Sequence, residues 1–241
     1  MESFLRAVAR KSAAISTRWQ ARQAGHALRR RADELRCLSD LIDLAFRFNR
    51  GGIQIAPMQV RSEIAALLEI LAKRGPRRIL EIGSARGGTF FLLSRVAAAD
   101  AHLITIDLPD RSFSTDSVPW RSELVRSLSQ VRQRIDVIGA DSQLQETAEW
   151  VKGLLRGKLL DLLFIDGDHR YEGVRRDFHL YAPLVCQEGL IAIHDIVPGE
   201  EKYVGGVPRF WREISEGRPS RTLVENWAQG GYGIGLLEKD R

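Results

Sequence analysis

Residues 77–99 read RRILEIGSARGGTFFLLSRVAAA. Ile79, Leu80 and Ile82 form a short aliphatic run around Glu81. Gly83, Gly87 and Gly88 then crowd a turn, and the apolar residues from Phe90 onward take helical spacing. This is a strand, a glycine turn and a helix. Glycine at such a turn lets the backbone take positive φ and come close to a neighbour or a ligand. The turn alone decides little, because any tight strand-to-helix connection can use glycine.

The alternation continues downstream. HLITIDL (102–108), IDVIGAD (135–141), LLDLLFID (159–166) and GLIAIHDI (189–196) read as strands. SELVRSLSQVRQR (122–134), SQLQETAEWVKGLLRG (142–157) and RYEGVRRDFHLYAPLV (170–185) read as helices between them. Short, continuously apolar strands separated by amphipathic helices predict a parallel sheet covered on both faces. Right-handed crossovers make this an α/β, doubly wound, mostly parallel sheet. Upstream, a helical stretch near 33–48 gives way to FNRGGIQIAPMQV (48–60). RSEIAALLEILAKRG (61–75) follows as a helix ended by Gly75-Pro76.

The composition fits one substantial domain with an appendage. The chain has 241 residues, 44% hydrophobic and 28% charged. No uninterrupted apolar run approaches the roughly 18 residues of a membrane span. Cys37 and Cys186 lie far apart without metal-type spacing, which argues against a disulfide framework and suits a reducing cytoplasm. Net charge is +5, yet residues 1–36 carry nine Lys/Arg against three acids, so the remainder sums to −1. Basicity confined to one terminus argues against a nucleic-acid binder, whose positive charge would line the folded body.

We therefore divide the chain into a basic helical extension, 1–50, and a main domain, 51–241. Phe4, Val8, Ile15 and Trp19 share a helical face in the extension. Peripheral membrane contact and an organelle transit peptide are two readings. The favoured one is a helix packed on its own domain or on a second subunit of a homo-oligomer.

In a doubly wound sheet, ligands bind beyond the carboxyl ends of the strands, so those residues carry the functional reading. Glu81 and the Gly83 turn come first, without the Gly-x-Gly-x-x-Gly of pyrophosphate sites. Asp107 ends the second strand, where an acid can accept from both ribose hydroxyls. Asp141 and Ser142 end the third, placed equally well to meet an adenine or to cap the next helix. Asp166, Asp168 and His169 end the fourth, and His194 and Asp195 the fifth. Carboxylates with imidazole suit Mg²⁺, Mn²⁺ or another divalent ion. The plainer reading is helix capping, or pairing with Arg170, Arg175 and Arg176.

In this order the motifs ILEIGSARGGT, ITID, IGAD, LLFIDGDHRYEGVRRDFHLYAPLV and EGLIAIHDI resemble the class I S-adenosylmethionine-dependent methyltransferases. Within that class they resemble the bacterial O-methyltransferase branch with cephalosporin-hydroxylase-like and macrolide-sugar members, over about residues 55–212. The resemblance implies a Rossmann-like methyltransferase fold and an enzyme that methylates a hydroxyl of a small molecule or sugar, and the cysteine usage places it as cytoplasmic. Natural-product or glycan modification is the implied context.

The resemblance also implies roles. Glu81, Gly83, Ser84 and Gly87 would hold the methionine part of the cofactor. Asp107 would take the ribose, Asp141 and Ser142 the adenine, and Asp166 would also face the cofactor. Asp166, His194 and Asp195 would ligate Mg²⁺ or Mn²⁺, His169 would be the general base, and Asp168 would orient it. His194 stands where metal-dependent relatives carry an acid, so the metal itself is open. Trp211, Trp227 and Tyr232 would border the acceptor or fill core. A nicotinamide-dependent oxidoreductase, a metal-dependent hydrolase and a non-enzymatic scaffold of the same fold are the rivals.

Overall fold

The computed structural model describes residues 2–109 and 121–239, with side chains described from Thr17 onward. Seven strands among the described residues make one sheet. They are β1 (Arg78–Ile82), β2 (His102–Asp107), β3 (Arg134–Gly139), β4 (Leu160–Ile165), β5 (Val185–His194), β6 (Ser220–Leu223) and β7 (Ile234–Glu238). Their spatial order is β3-β2-β1-β4-β5-β7-β6. The first five are parallel, and β7 enters antiparallel between β5 and β6. The tail read as aromatic and Gly-rich thus completes the sheet.

Two-sided burial follows from the strand period of two. Ile79, Leu103, Leu162, Phe164, Leu190 and Ala192 enter one apolar cluster, which α3 (Arg61–Arg74) and α4 (Gly88–Val96) cover. Leu80, Ile82, Ile104, Ile106, Leu163, Ile165, Ile191 and Ile193 enter the other, which α6 (Gln145–Leu155), α7 (Tyr171–Tyr181) and α9 (Val207–Ser215) cover. Short α8 (Glu201–Val204) precedes α9.

Helix ends differ from the sequence reading where local bonds compete with the helix. The helix expected from Ser142 starts at Gln145, because Asp141 Oδ1 accepts from Gln143 N (2.9 Å) and makes a turn first. The helix expected over 122–134 is only α5 (Arg121–Arg126), ended by Ser127 Oγ donating to the Leu124 carbonyl. α1 (Glu2–Glu34) breaks before α2 (Leu38–Arg47), whose Asp40 N–H donates to Cys37 Sγ.

The extension packs on its own chain. Ala21, Ala24, Leu28 and Ala32 of α1 lie in the first apolar cluster, beside Leu124, Val125 and Leu128. At Gly25 a Cβ would stand 1.8 Å from Ser127 Oγ, so glycine permits α1 to cross α5 closely. Trp19, on the apolar face read from sequence, is 63% exposed. Phe4, Val8 and Ile15 lie outside the residues whose side chains are described. No helix among the described residues is long and apolar enough to cross a membrane.

Parallel registry brings the strand ends level. Ile82 pairs with both Ile106 and Ile165, and Ile165 with Ile193. Strand order reverses between β1 and β4, which is where doubly wound sheets hold ligands. Gly83 (φ 87°) sits at that point, and a Cβ there would stand 1.9 Å from the Asp166 carbonyl oxygen. Only glycine allows the two loops to meet so closely.

Candidate functional site

A cavity of about 460 Å³ opens at this crevice, within the size range of small-molecule sites. Gly83 and Ala85 of the glycine turn, Asp107, the 140–143 loop and Asp166 line it. Asp107 braces the turn: its Oδ2 accepts from Ser84 N (2.9 Å), Ser84 Oγ (3.2 Å) and Ala85 N (3.0 Å). The same oxygen lies 2.9 Å from Arg121 Nη1. Burial raises the Asp107 pKa, and the Arg121 charge offsets only part of that rise. Arg121, also bonded to the Leu108 carbonyl (2.8 Å), escaped the sequence reading. It lies thirteen positions from that carbonyl, outside any local motif.

Ser142 is nearby, its carbonyl accepting from Tyr181 Oη (2.8 Å). Beneath it, Asp177 of α7 is fully buried, and neither carboxylate oxygen has a hydrogen-bond partner. Burial raises its pKa to about 7; the nearby Ser142 side chain offsets part of that rise, and the charges of Asp168 and Asp141 add to it. Asp177 too was missed, because in sequence it looks like one more polar helix position.

Asp168 does not take the part expected of it. Its bonds run to Arg170 Nη2 (2.6 Å), Arg170 Nε (3.0 Å) and Gln143 Nε2 (2.8 Å). Burial opposes its charge, but the Arg170 bonds outweigh it and bring the pKa down to about 2. Arg170, two residues on at the start of α7, holds this carboxylate, which is bonded there rather than to His169.

Asp166 forms the wall between the cavity and a second cluster. Its Oδ1 lies 3.0 Å from His194 Nδ1 and 3.7 Å from His169 Nε2. Asp195 Oδ2 lies 3.4 Å from each of the same nitrogens. Asp195 holds positive φ (62°), and its Oδ1 accepts from Tyr232 N (2.9 Å). The loop leading into β7 therefore fixes the carboxylate. His169 Nδ1 meets the Tyr203 carbonyl, which turns Nε2 toward the acids.

The electrostatics of the cluster follow from these contacts. Burial opposes charge on both histidines, but Asp166 and Asp195 outweigh it and raise both pKa values. Burial likewise opposes charge on Asp166, and His194 and His169 outweigh it, holding that carboxyl below its usual range. Glu81, fully buried next to the cluster, is pushed well up by burial and by the Asp166 charge, against a hydrogen bond from Thr105 Oγ1 (3.3 Å).

A cation test follows from the donor set. Asp166, His169 and Asp195 each present a ligand atom, all within 4.8 Å of one another. Two carboxylate oxygens and an imidazole suit Mn²⁺ or a later transition ion better than Mg²⁺. The histidine in this set is His169. His194 lies deeper, with Nδ1 on the same carboxylates and Nε2 buried without a partner.

Gln59 completes the surround, and nothing in the local sequence announces it. It precedes α3 yet donates from Nε2 to Asp166 Oδ2 at 3.0 Å. Of the tail aromatics, Trp211 is core against Gly235, whereas Trp227 and Tyr232 are exposed. Tyr232 stands 6.0 Å, ring to ring, from His194.

Comparison with known proteins bears on the fold and the family rather than on these side chains. Residues 80–196 match a family model described as a methyltransferase domain, which bears out the methyltransferase part of the resemblance read from the strand-end motifs. A curated relative from Sinorhizobium fredii, the uncharacterised protein y4gI, is 26% identical over 169 residues. That match takes in 67% of this chain and only 17% of the relative's length. Among solved structures, the O-methyltransferase TomG from Streptomyces achromogenes, crystallised with S-adenosylmethionine, is similar at TM-score 0.57 and 20% identity. The match covers 86% of this chain and 92% of that one. The O-methyltransferase from Bacillus cereus, in complex with S-adenosylhomocysteine, gives 0.55 and 19%, covering 86% and 94%. The fold is thus the Rossmann-like methyltransferase fold.

Proposed function

We propose that this chain, whose residues 80–196 match a methyltransferase-domain model, moves a methyl group from S-adenosylmethionine to a hydroxyl oxygen of a small molecule or sugar. One observation carries the reading. The cavity at the switch point has Asp107 and the Gly83 turn on one side, and on the other Asp166, shared with an acid–histidine cluster. A cofactor and a proton-accepting group would meet there. Neighbours of the same fold that hold S-adenosylmethionine or S-adenosylhomocysteine support the choice of cofactor.

The roles are those that the resemblance implies. The turn at Gly83, Ser84 and Gly87 would lie beside the methionine part, Asp107 would take the ribose hydroxyls, and Asp141 with Ser142 would face the adenine. The acceptor oxygen attacks the sulfonium methyl carbon. An O–C bond forms, the S–C bond breaks with its electron pair going to sulfur, and the hydroxyl proton passes to His169 Nε2. A neutral alcohol is a weak nucleophile, so this proton acceptor and the in-line placement of both reactants supply the acceleration. Asp166 and Asp195 stabilise the imidazolium that results, and the Tyr203 carbonyl fixes the ring.

A divalent cation is the second reading, favoured by the convergence of Asp166, His169 and Asp195. These three would hold it, and it would lower the pKa of the acceptor hydroxyl. His169 Nε2 cannot bind a cation and take a proton at once, so the two readings divide on that atom. Turnover unchanged by a strong chelator decides for the proton. Calorimetric titration with S-adenosylhomocysteine tests the function as a whole, and no heat of binding at high micromolar ligand would sink it.

A further inference from the structure

Gln59 is 5% exposed, and its two amide ends have unequal fates. Asp166 is an acceptor, so the end facing it at 3.0 Å is Nε2, a donor. Oε1 then points elsewhere, buried and without a hydrogen-bond partner. A buried unpartnered carbonyl oxygen is costly to keep, so its retention beside Asp166, which lines the crevice, points to a donor that arrives with the ligand.

The backbone allows Gln59 little freedom to relieve this. Residues 55–57 press on the glycine turn, where a Cβ on Gly88 would stand 1.9 Å from the Ile55 carbonyl oxygen. α3 begins two residues later, at Arg61. The segment is a strap pinned at both ends, and it carries the amide to Asp166 across 107 positions of sequence.

Chemistry selects the incoming donor. Glu81 Oε1 is a second buried oxygen of this neighbourhood without a partner, and Asp166 supplies negative charge. Oxygen acceptors beside a carboxylate repel anions and recognise a cation that carries several N–H groups. Of the groups on the methionine part of the cofactor, only the ammonium is one.

We propose that Gln59 is a cofactor-contacting residue, with Oε1 accepting a hydrogen bond from the α-ammonium of bound S-adenosylmethionine while Nε2 holds Asp166. The proposal rests on the methyltransferase reading above.

The test measures binding of two ligands to the full-length chain. S-adenosylhomocysteine carries the ammonium, and 5′-methylthioadenosine keeps the adenosine and thioether but lacks the amino-acid part. Gln59→Leu is expected to weaken S-adenosylhomocysteine by about tenfold to a hundredfold and to leave 5′-methylthioadenosine within about threefold. Gln59→Met, closer in length, is expected to do the same and guards against a folding defect in the first variant. Equal weakening of both ligands would mean a structural role and overturn the proposal, as would unchanged S-adenosylhomocysteine binding. If the unaltered chain binds neither ligand, the methyltransferase reading fails and takes this proposal with it.

Discussion

The two ends of the parallel strands use the same side chains in opposite ways. At the amino end, Asp161 of β4 accepts from Arg77 N (2.7 Å), Arg78 N (2.8 Å) and Arg78 Nη2 (3.3 Å). His102 of β2 sits 2.7 Å from Asp136, which also meets Arg134 at 2.8 Å. At the carboxyl end, Asp166 follows the same β4, and His169 and His194 share it with Asp195. There, Gln59, Glu81, Asp177 and His194 each leave a buried polar atom without a partner. Their pKa values diverge accordingly. Burial lowers His102, and Arg134 and Arg156 add to the fall against the pull of Asp136, whereas both carboxyl-end histidines are raised. An acid–histidine pair is not a site by composition. It becomes one where its neighbours leave charge uncompensated and hydrogen bonds unmade.

Substitutions at matched positions can break that contrast. The largest effect is expected at His169. His169→Ala should lower methyl transfer by about 10² to 10⁴-fold, while His102→Ala leaves turnover per folded molecule unchanged. Comparable losses from both would erase the distinction. Next, Asp107→Asn should weaken S-adenosylhomocysteine by about tenfold or more, because Oδ2 loses the charge that four donors share. Unaltered affinity in calorimetry would remove Asp107 from the binding wall.

Asp177 gives a pH test. Its folded pKa of about 7 exceeds its ordinary value of 3.8, so the folded state holds a proton that the unfolded state has lost. Stability should therefore fall by up to about 1.4 kcal/mol per pH unit as pH rises from about 4 to 7. Asp177→Asn should flatten that slope in denaturant titrations, and a slope left intact would refute the assignment. The smallest effect is expected at the amino end. Asp161→Asn should cost about 1–3 kcal/mol of stability with S-adenosylhomocysteine affinity unchanged, and a loss of affinity there would show that the two ends are coupled.

Much of this was legible in the sequence because it is periodic or local. Aliphatic runs such as Leu162–Ile165 could only be strands covered on both faces, and an acid ending such a run had to emerge at the sheet's edge. The plainer reading of Asp168 also stood in the sequence, since its arginine is two residues away. What escaped depends on tertiary convergence. Gln59 meets Asp166 from a separate segment, Arg121 reaches Asp107 across a stretch without pattern, and Asp177 is disguised by an amphipathic helix. Registry hid one more distinction, that of the two histidines close to Asp166, where His169 joins the cation-capable set and His194 backs it.

The close crossing at Gly25 carries a consequence of its own. α1 bears on α5, α5 begins with Arg121, and Arg121 grips the acid that braces the glycine turn. A chain shortened to start at Leu38 would keep every strand, every acid and both histidines of the cluster, yet would lose the buttress behind that grip. A bulky residue at position 25 should therefore weaken S-adenosylhomocysteine in calorimetry without touching the cavity, and unchanged affinity would show that the crossing and the site are independent.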